Sequence, residues 1–180
     1  MNYYGGKELA AAFRTVRKNT IQVAEDIPDN KYDFKPAPDA RTVAQTLAHI
    51  AVSTDIAHYL HGNRFDSLAN VNFSELMQKV SAEEAKPRTK AEIIALLESE
   101  GERFVTYLEG LSESFLLERV AMPPGGEPAA KTRFEMLLSP KEHEMHHRAQ
   151  LMTIQRMLGV VPHLTRQRQE MMARAQSAQR

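Results

Sequence analysis

The chain contains no cysteine. Disulfide bonds, thiolate metal sites and a catalytic cysteine nucleophile are therefore excluded. Any metal ion must be bound by histidine, aspartate or glutamate side chains. Long hydrophobic runs are also missing, because no stretch approaches the roughly 20 apolar residues that a membrane span needs.

An excess of charge of one sign is missing as well. Lys and Arg together number 23, as do Asp and Glu, so no overall field favours nucleic acid or an anionic membrane. The N-terminal residues, MNYYGGKELAAAF, lack the basic segment and apolar core of a signal peptide. We therefore expect a cytoplasmic protein with neither nucleic acid nor a membrane as partner.

Helical periodicity is what the sequence does contain. Four segments show it, at about 6–27, 39–61, 89–108 and 131–158, and nothing between them alternates like a strand. Residues 63–88 are predicted to form a polar connection with a short helical turn near 74–80. Residues 165–180 are basic and can form a fifth, surface helix.

The helix starts carry specific signals. Thr42 with Gln45, and Thr89 with Glu92, have the spacing of a capping box. Pro140 lies inside the fourth segment, so either one helix is kinked there or Ser139 caps a new helix. These signals predict an all-α four-helix bundle over 1–162, followed by a basic tail or short extra C-terminal helix over 163–180.

Three of the seven histidines lie together in the fourth helix, in the stretch HEMHHRAQ. His143 and His147 are four residues apart, which places both imidazoles on one side of a helix and lets them bind one ion. His147 continues a buried stripe through Leu151 and Ile154. His146 instead shares a more polar face with Gln150, so it flanks the pair.

His49 in the second helix is the candidate third ligand, because buried imidazoles need partners for their nitrogens. From spacing alone, a metal site and three ordinary structural histidines are equally good interpretations. His58, His61 and His163 are given no role in the site. Glu142 and Glu144 are interpreted as solvated helix-surface residues.

Two stretches, PDARTVAQTLAHIA and EHEMHHRAQLMTIQRMLG, resemble the DinB/YfiT-like family of metalloenzymes. The resemblance covers roughly residues 5–160. It implies a four-helix bundle, often a dimer, that binds one divalent metal ion through His49, His143 and His147. Some members of that family use a low-molecular-weight thiol, such as mycothiol-dependent maleylpyruvate isomerase and bacillithiol S-transferases. The sequence departs from the family pattern at two positions without losing a ligand. Ala149 stands where the family often has Gly, and Pro140 lies one turn before His143.

Three neutral histidines suit Zn, Ni or another transition metal and leave a coordination position open for substrate or water. The first hypothesis is therefore a metal-dependent enzyme that activates a low-molecular-weight thiol or water, as an S-transferase or hydrolase acting on a small molecule. The alternative is a non-catalytic stress protein that binds a metal or small ligand. Nucleic-acid binding through the basic tail is the weakest hypothesis.

Three further residues have open roles near the site. Arg148 either recognises an anionic substrate or makes a structural ion pair. Gln150 is a candidate for orienting a ligand imidazole, and His146 flanks the ligands. By resemblance, we expect a homodimer formed through the outer faces of the first two helices.

Overall fold

The architecture comes from a computed structural model that describes residues 4–178. The helices are α1 (Gly6–Asp26), α2 (Val43–Val52), α3 (Thr54–Gly62), α4 (Phe73–Glu84), α5 (Lys90–Glu109), α6 (Glu113–Leu117), α7 (Arg133–Met157) and α8 (His163–Ser177). A two-stranded antiparallel sheet joins β1 (Arg119–Ala121) to β2 (Ala130–Thr132).

Four helical arms form a bundle, which confirms the predicted fold class. The first arm is α1. The second arm consists of α2 followed by α3, the third is α5 and the fourth is α7. Both α1 and α2 pack against α5 and against α7. The second arm was predicted as one helix, and the structure divides it at Ser53.

Apolar periodicity explains the packing of these arms. The apolar stripe of α1, which includes Leu9, Phe13 and Val23 at helical spacing, is buried. In α5 Ile93 is buried in the core, whereas the neighbouring Ile94 is only partly buried. The predicted capping boxes of α2 and α5 are both present.

The helix that carries two of the candidate ligands is α7. It begins with a third capping box, formed by Thr132 and Glu135, and continues through Pro140 without a new start at Ser139. Of the two interpretations of Pro140, one continuous helix is therefore confirmed.

Two connections are more ordered than the sequence indicates. Residues 63–88 contain the twelve-residue helix α4, which starts after the side-chain cap of Asn72. The prediction that no strands occur is wrong, because β1 pairs with β2 in the register Arg119↔Thr132. Strands of three residues are too short to show an alternating pattern.

The predicted tail helix exists as α8, while residues 179–180 lie outside the described part of the chain. His163, which was given no role in the site, is 3% exposed and begins this helix. Its Nε2 lies 3.2 Å from Oδ1 of Asn19, which attaches α8 to α1. Within residues 4–178, no helix is both long and apolar enough to cross a membrane.

Candidate metal centre

Three imidazoles from two helical arms converge at one point. Nε2 of His143 lies 3.1 Å from Nε2 of His49 and 3.2 Å from Nε2 of His147. One nitrogen from each of the three rings lies within 4.8 Å of the others. His143 and His147 are one turn apart on α7, and His49 faces them from α2.

The packing of α2 on α7 produces this convergence. Leu47 and Ile50 flank His49 in sequence and are fully buried in the same apolar cluster as Leu151 and Ile154 of α7. Burial of these neighbours fixes the rotation of each helix about its axis. The imidazoles are therefore held at the edge of a rigid core.

Glu84 orients His49. Oε2 of Glu84 lies 3.0 Å from Nδ1 of His49, and Oε1 accepts a hydrogen bond of 2.6 Å from Nε of Arg41. An ionised carboxylate can only accept, so Nδ1 of His49 carries the proton and Nε2 keeps its lone pair. Glu84 could not be predicted from the sequence, because α4 has no pattern that connects it with a histidine 35 residues earlier.

Gln150 plays the corresponding part for His147. Oε1 of Gln150 lies 2.8 Å from Nδ1 of His147, while Nε2 of Gln150 donates to Nε2 of His146 at 3.2 Å. The Nδ1–H of His147 therefore donates to the amide oxygen, and its Nε2 lone pair points into the cluster. The exposed imidazole of His146 lies outside the convergence.

These tautomers fit a metal ion better than a metal-free cluster. Two Nε2 lone pairs face the single Nε2 of His143, which can carry one proton and so can satisfy only one of them. A cation bound between the rings would satisfy all three. Ligands at 2.0–2.1 Å from a tetrahedral ion lie roughly 3.3 Å from one another, close to the two distances observed.

The surroundings of the two imidazoles on α7 lower their pKa values. Burial lowers the pKa of His143 to about 4, and the neighbouring His147 and His49 act in the same direction. Burial is also the largest cause of the lowered pKa of His147, whereas its bond with Gln150 acts in the opposite direction. Neutral imidazole is the form that binds a metal ion.

The prediction that Glu144 is a solvated surface residue is wrong. Glu144 is 1% exposed and Arg17 of α1 is 3% exposed. Nε and Nη2 of Arg17 lie 3.0 Å from the Glu144 carboxylate, and Nη1 donates to the carbonyl of Leu97 at 2.7 Å. Glu144 lies about 100° around the helix axis from His143. Because other helices surround α7, its buried face is wide enough to include both residues. Glu142 is exposed, as predicted.

Arg148 and the histidines of α3 lie elsewhere. Arg148 donates to the carbonyl of Val16 at 3.2 Å, so it joins α7 to α1. His61, which was given no role in the site, is 2% exposed and contacts Arg133. His58 packs against the rings of Phe104 and Tyr107.

Two cavities open beside the imidazoles. A cavity of about 640 Å³, here called the hairpin cavity, is lined by His49, His143, His61 and Lys131, among others. A second cavity of about 770 Å³ lies on the side of His147 and Gln150. Arg41 lines both. A ligand in either cavity can therefore reach the imidazole cluster.

Several solved structures share this fold. YfiT from Bacillus subtilis, described as a probable metal-dependent hydrolase with an unusual four-helix bundle topology, is 17% identical with a TM-score of 0.66, over 89% of this chain and 91% of that one. A DinB-like protein from Bacillus subtilis is 22% identical with a TM-score of 0.62, over 84% and 92% of the two chains.

A mycothiol-dependent maleylpyruvate isomerase is 12% identical with a TM-score of 0.61, over 84% of this chain and 63% of that one. No curated protein sequence matches the chain. The family model of the DinB superfamily matches residues 12–151, well over half of the sequence. The chain therefore belongs to the DinB superfamily.

Proposed function

We propose that this protein is a divalent-metal-dependent enzyme that activates a low-molecular-weight thiol or water to attack a small-molecule substrate. The observation that carries the proposal is the convergence of three Nε2 atoms beside a cavity, with two of the rings oriented by Glu84 and Gln150. A metal ion held there would acidify a thiol or water and so supply a nucleophile at neutral pH.

The surrounding residues support a binding role for the cavity. Arg41 pairs with Glu84, and Glu84 in turn holds the His49 ring in place. Met77, Met122 and Met136 provide an adaptable apolar lining for a substrate. A pocket that combines apolar walls with a few polar groups is typical of a small-molecule site. It favours turnover over simple metal storage.

The known relatives agree with this chemistry. YfiT is described as a probable metal-dependent hydrolase, and the isomerase is described as dependent on the thiol mycothiol. Transfer to or from a thiol and hydrolysis are therefore the two reaction types to test. The cytoplasmic location and the homodimer stay predictions from the sequence.

The first experiment is elemental analysis of tag-free protein, comparing the parent chain with His147→Ala and with the control His146→Ala. We expect about one ion per chain in the parent and in His146→Ala, and none in His147→Ala. The absence of stoichiometric metal after zinc or nickel is supplied would refute the proposal.

Reaction type is then tested with the metal-loaded protein. It is assayed with thiol and electrophile pairs and, separately, with esters and amides in water. Turnover that disappears in His147→Ala supports the enzyme. One bound ion with no turnover in either assay would favour a non-catalytic metal-binding protein instead.

A further inference from the structure

A second polar group lies in the hairpin cavity, away from the three imidazoles. His61 is near the end of α3, twelve residues after His49 in the chain. Its side chain is 2% exposed and lines the cavity together with Met122 and Lys131 of the β1–β2 hairpin. The candidate metal centre does not use it.

Arg133 fixes the protonation of this histidine. The guanidinium donates to Oε2 of Glu118 at 2.8 Å and to the carbonyl of Phe65 at 2.9 Å. Its Nη1 lies 3.3 Å from Nδ1 of His61. Arginine remains protonated in proteins, so Nδ1 must accept this bond and the proton of the ring lies on Nε2.

The same contact keeps His61 uncharged. Burial lowers the pKa of His61 to about 4, and the charge of Arg133 acts in the same direction. At neutral pH the ring is therefore a hydrogen-bond donor through Nε2–H. Among residues 4–178 this atom has no hydrogen-bond partner.

Lys131 adds a positive charge at the same end of the cavity. It pairs with Val120 across the hairpin, and no carboxylate of the described chain lies within an ion-pair distance of 4.0 Å. The carboxylate of Glu135 lines the same cavity, and its Oε2 accepts bonds from the backbone N–H and the hydroxyl of Thr132. Lys131 and Arg119 both help to lower the pKa of Glu135, after the bonds from Thr132.

The other acidic groups of the cavity belong to its opposite end. Glu84 is paired with Arg41 and His49, and Glu142 is exposed next to His143 in the chain. The hairpin end of the cavity therefore presents two donors, the Nε2–H of His61 and the ammonium group of Lys131, and the one carboxylate beside them, Glu135, is hydrogen-bonded to Thr132 and lies beyond ion-pair distance of Lys131.

We propose that His61 and Lys131 form a carboxylate-binding subsite that positions an acidic substrate in the hairpin cavity. The Nε2–H of His61 and the ammonium group of Lys131 bind the carboxylate, while the body of the substrate extends along the methionine lining. This inference rests on the proposed function only in treating the cavity as the substrate cavity.

Calorimetric titration with phenylacetate, and with phenylacetamide as the neutral isostere, tests the subsite directly. We expect phenylacetate to bind at least about tenfold more tightly than the amide, as for a charged hydrogen-bonded group. His61→Phe and Lys131→Met each weaken phenylacetate binding about tenfold. Equal affinities for acid and amide, or unchanged binding in both variants, would overturn the subsite.

Two control variants separate a local effect from misfolding. In His61→Gln, the side-chain oxygen can accept from Arg133 while the amide nitrogen donates to the ligand, so binding is retained within about threefold. Lys79→Met removes an exposed lysine of α4 that already pairs with Glu75, and it leaves binding unchanged. Loss of binding in either control would count against the subsite.

The same titrations in His147→Ala protein distinguish this inference from the proposed function. If the carboxylate binds at His61, its affinity is the same with and without the metal centre, whatever the outcome of the metal and turnover assays. If phenylacetate binding disappears with His147, the carboxylate binds at the imidazole cluster and the subsite is refuted.

Discussion

The carboxylate of Glu84 lies 3.0 Å from Nδ1 of His49, on a helix that the sequence does not connect with the histidine cluster. It fixes the ring so that Nε2 faces His143. A carboxylate in this position also increases the basicity of a ligand imidazole. Arg41 donates a hydrogen bond to the other oxygen of Glu84, which restricts rotation of the carboxylate.

Replacement of Glu84 by Gln should weaken metal binding without abolishing it. The amide can still meet Nδ1 of His49, but it loses the negative charge, so we expect zinc affinity to fall by about 10–100-fold with unchanged stoichiometry. Competition with a chromogenic chelator measures this. Glu75→Gln, on the exposed face of the same helix, is the control. Equal affinities for Glu84→Gln and the parent would show that Glu84 does not act on the metal centre.

The buried pair of Arg17 and Glu144 should be costly to break on one side. Arg17→Met leaves a buried carboxylate without its partner, and we expect a loss of about 3–5 kcal/mol in the free energy of unfolding. Urea denaturation measures it. Arg14→Met, which removes an exposed ion pair with Glu109, should cost less than about 1 kcal/mol.

A double replacement tests the cause of that loss. Arg17→Met combined with Glu144→Leu removes both charges, so most of the lost stability should return. If the double variant is as unstable as the sum of the two single variants, packing rather than the unpaired charge explains the effect.

Gly101 of α5 should not tolerate alanine, although alanine normally stabilises a helix. A Cβ at this position would lie 2.8 Å from Cγ of Arg17, whose guanidinium is fixed by Glu144. We expect Gly101→Ala to destabilise the protein by about 1–3 kcal/mol. Gly62→Ala, with no atom within 4 Å of the added Cβ, should be neutral or stabilising by up to about 1 kcal/mol. Thermal and urea unfolding of both variants checks the contrast, which a gain in stability for Gly101→Ala would contradict.

His61 should make stability depend on pH in a defined window. Its pKa is about 4 in the folded protein, whereas an unperturbed histidine has a pKa of 6.5, so between these values the unfolded chain binds a proton that the folded chain does not. Stability therefore falls as the pH decreases from 6.5 to 4, by up to about 3 kcal/mol from this residue. The free energy of unfolding is measured against pH for the metal-free His147→Ala protein and for the double variant that also carries His61→Gln. The double variant should show the flatter curve. Parallel curves would contradict the assignment.

The sequence predicted what local periodicity determines. The four arms, two capping boxes and the buried stripe of α1 follow from spacing and from side-chain chemistry along a single helix. His49, His143 and His147 were selected in the same way, by helical phase and by the family resemblance, and the structure brings them together.

The contacts that sequence missed are all non-local. Glu84 reaches His49 from another helix, and Arg17 meets Glu144 across 127 residues. Arg17 offered one signal, since it lies four residues after the core residue Phe13 and so shares its buried side. Arg133 beside His61 offered none, because it depends on the hairpin that turns the chain into α7.

The proline within α7 has a consequence for the chemistry of the cavity wall. Proline has no N–H, so the carbonyl of Met136 does not receive the usual bond from the residue one turn later. Met136 and Pro140 both line the hairpin cavity, and His143 follows three residues after the proline. The main chain of the ligand helix thus provides a free carbonyl oxygen next to the cavity. That oxygen would regain its usual partner only if Pro140 itself were replaced, because any other residue at that position would supply the missing N–H.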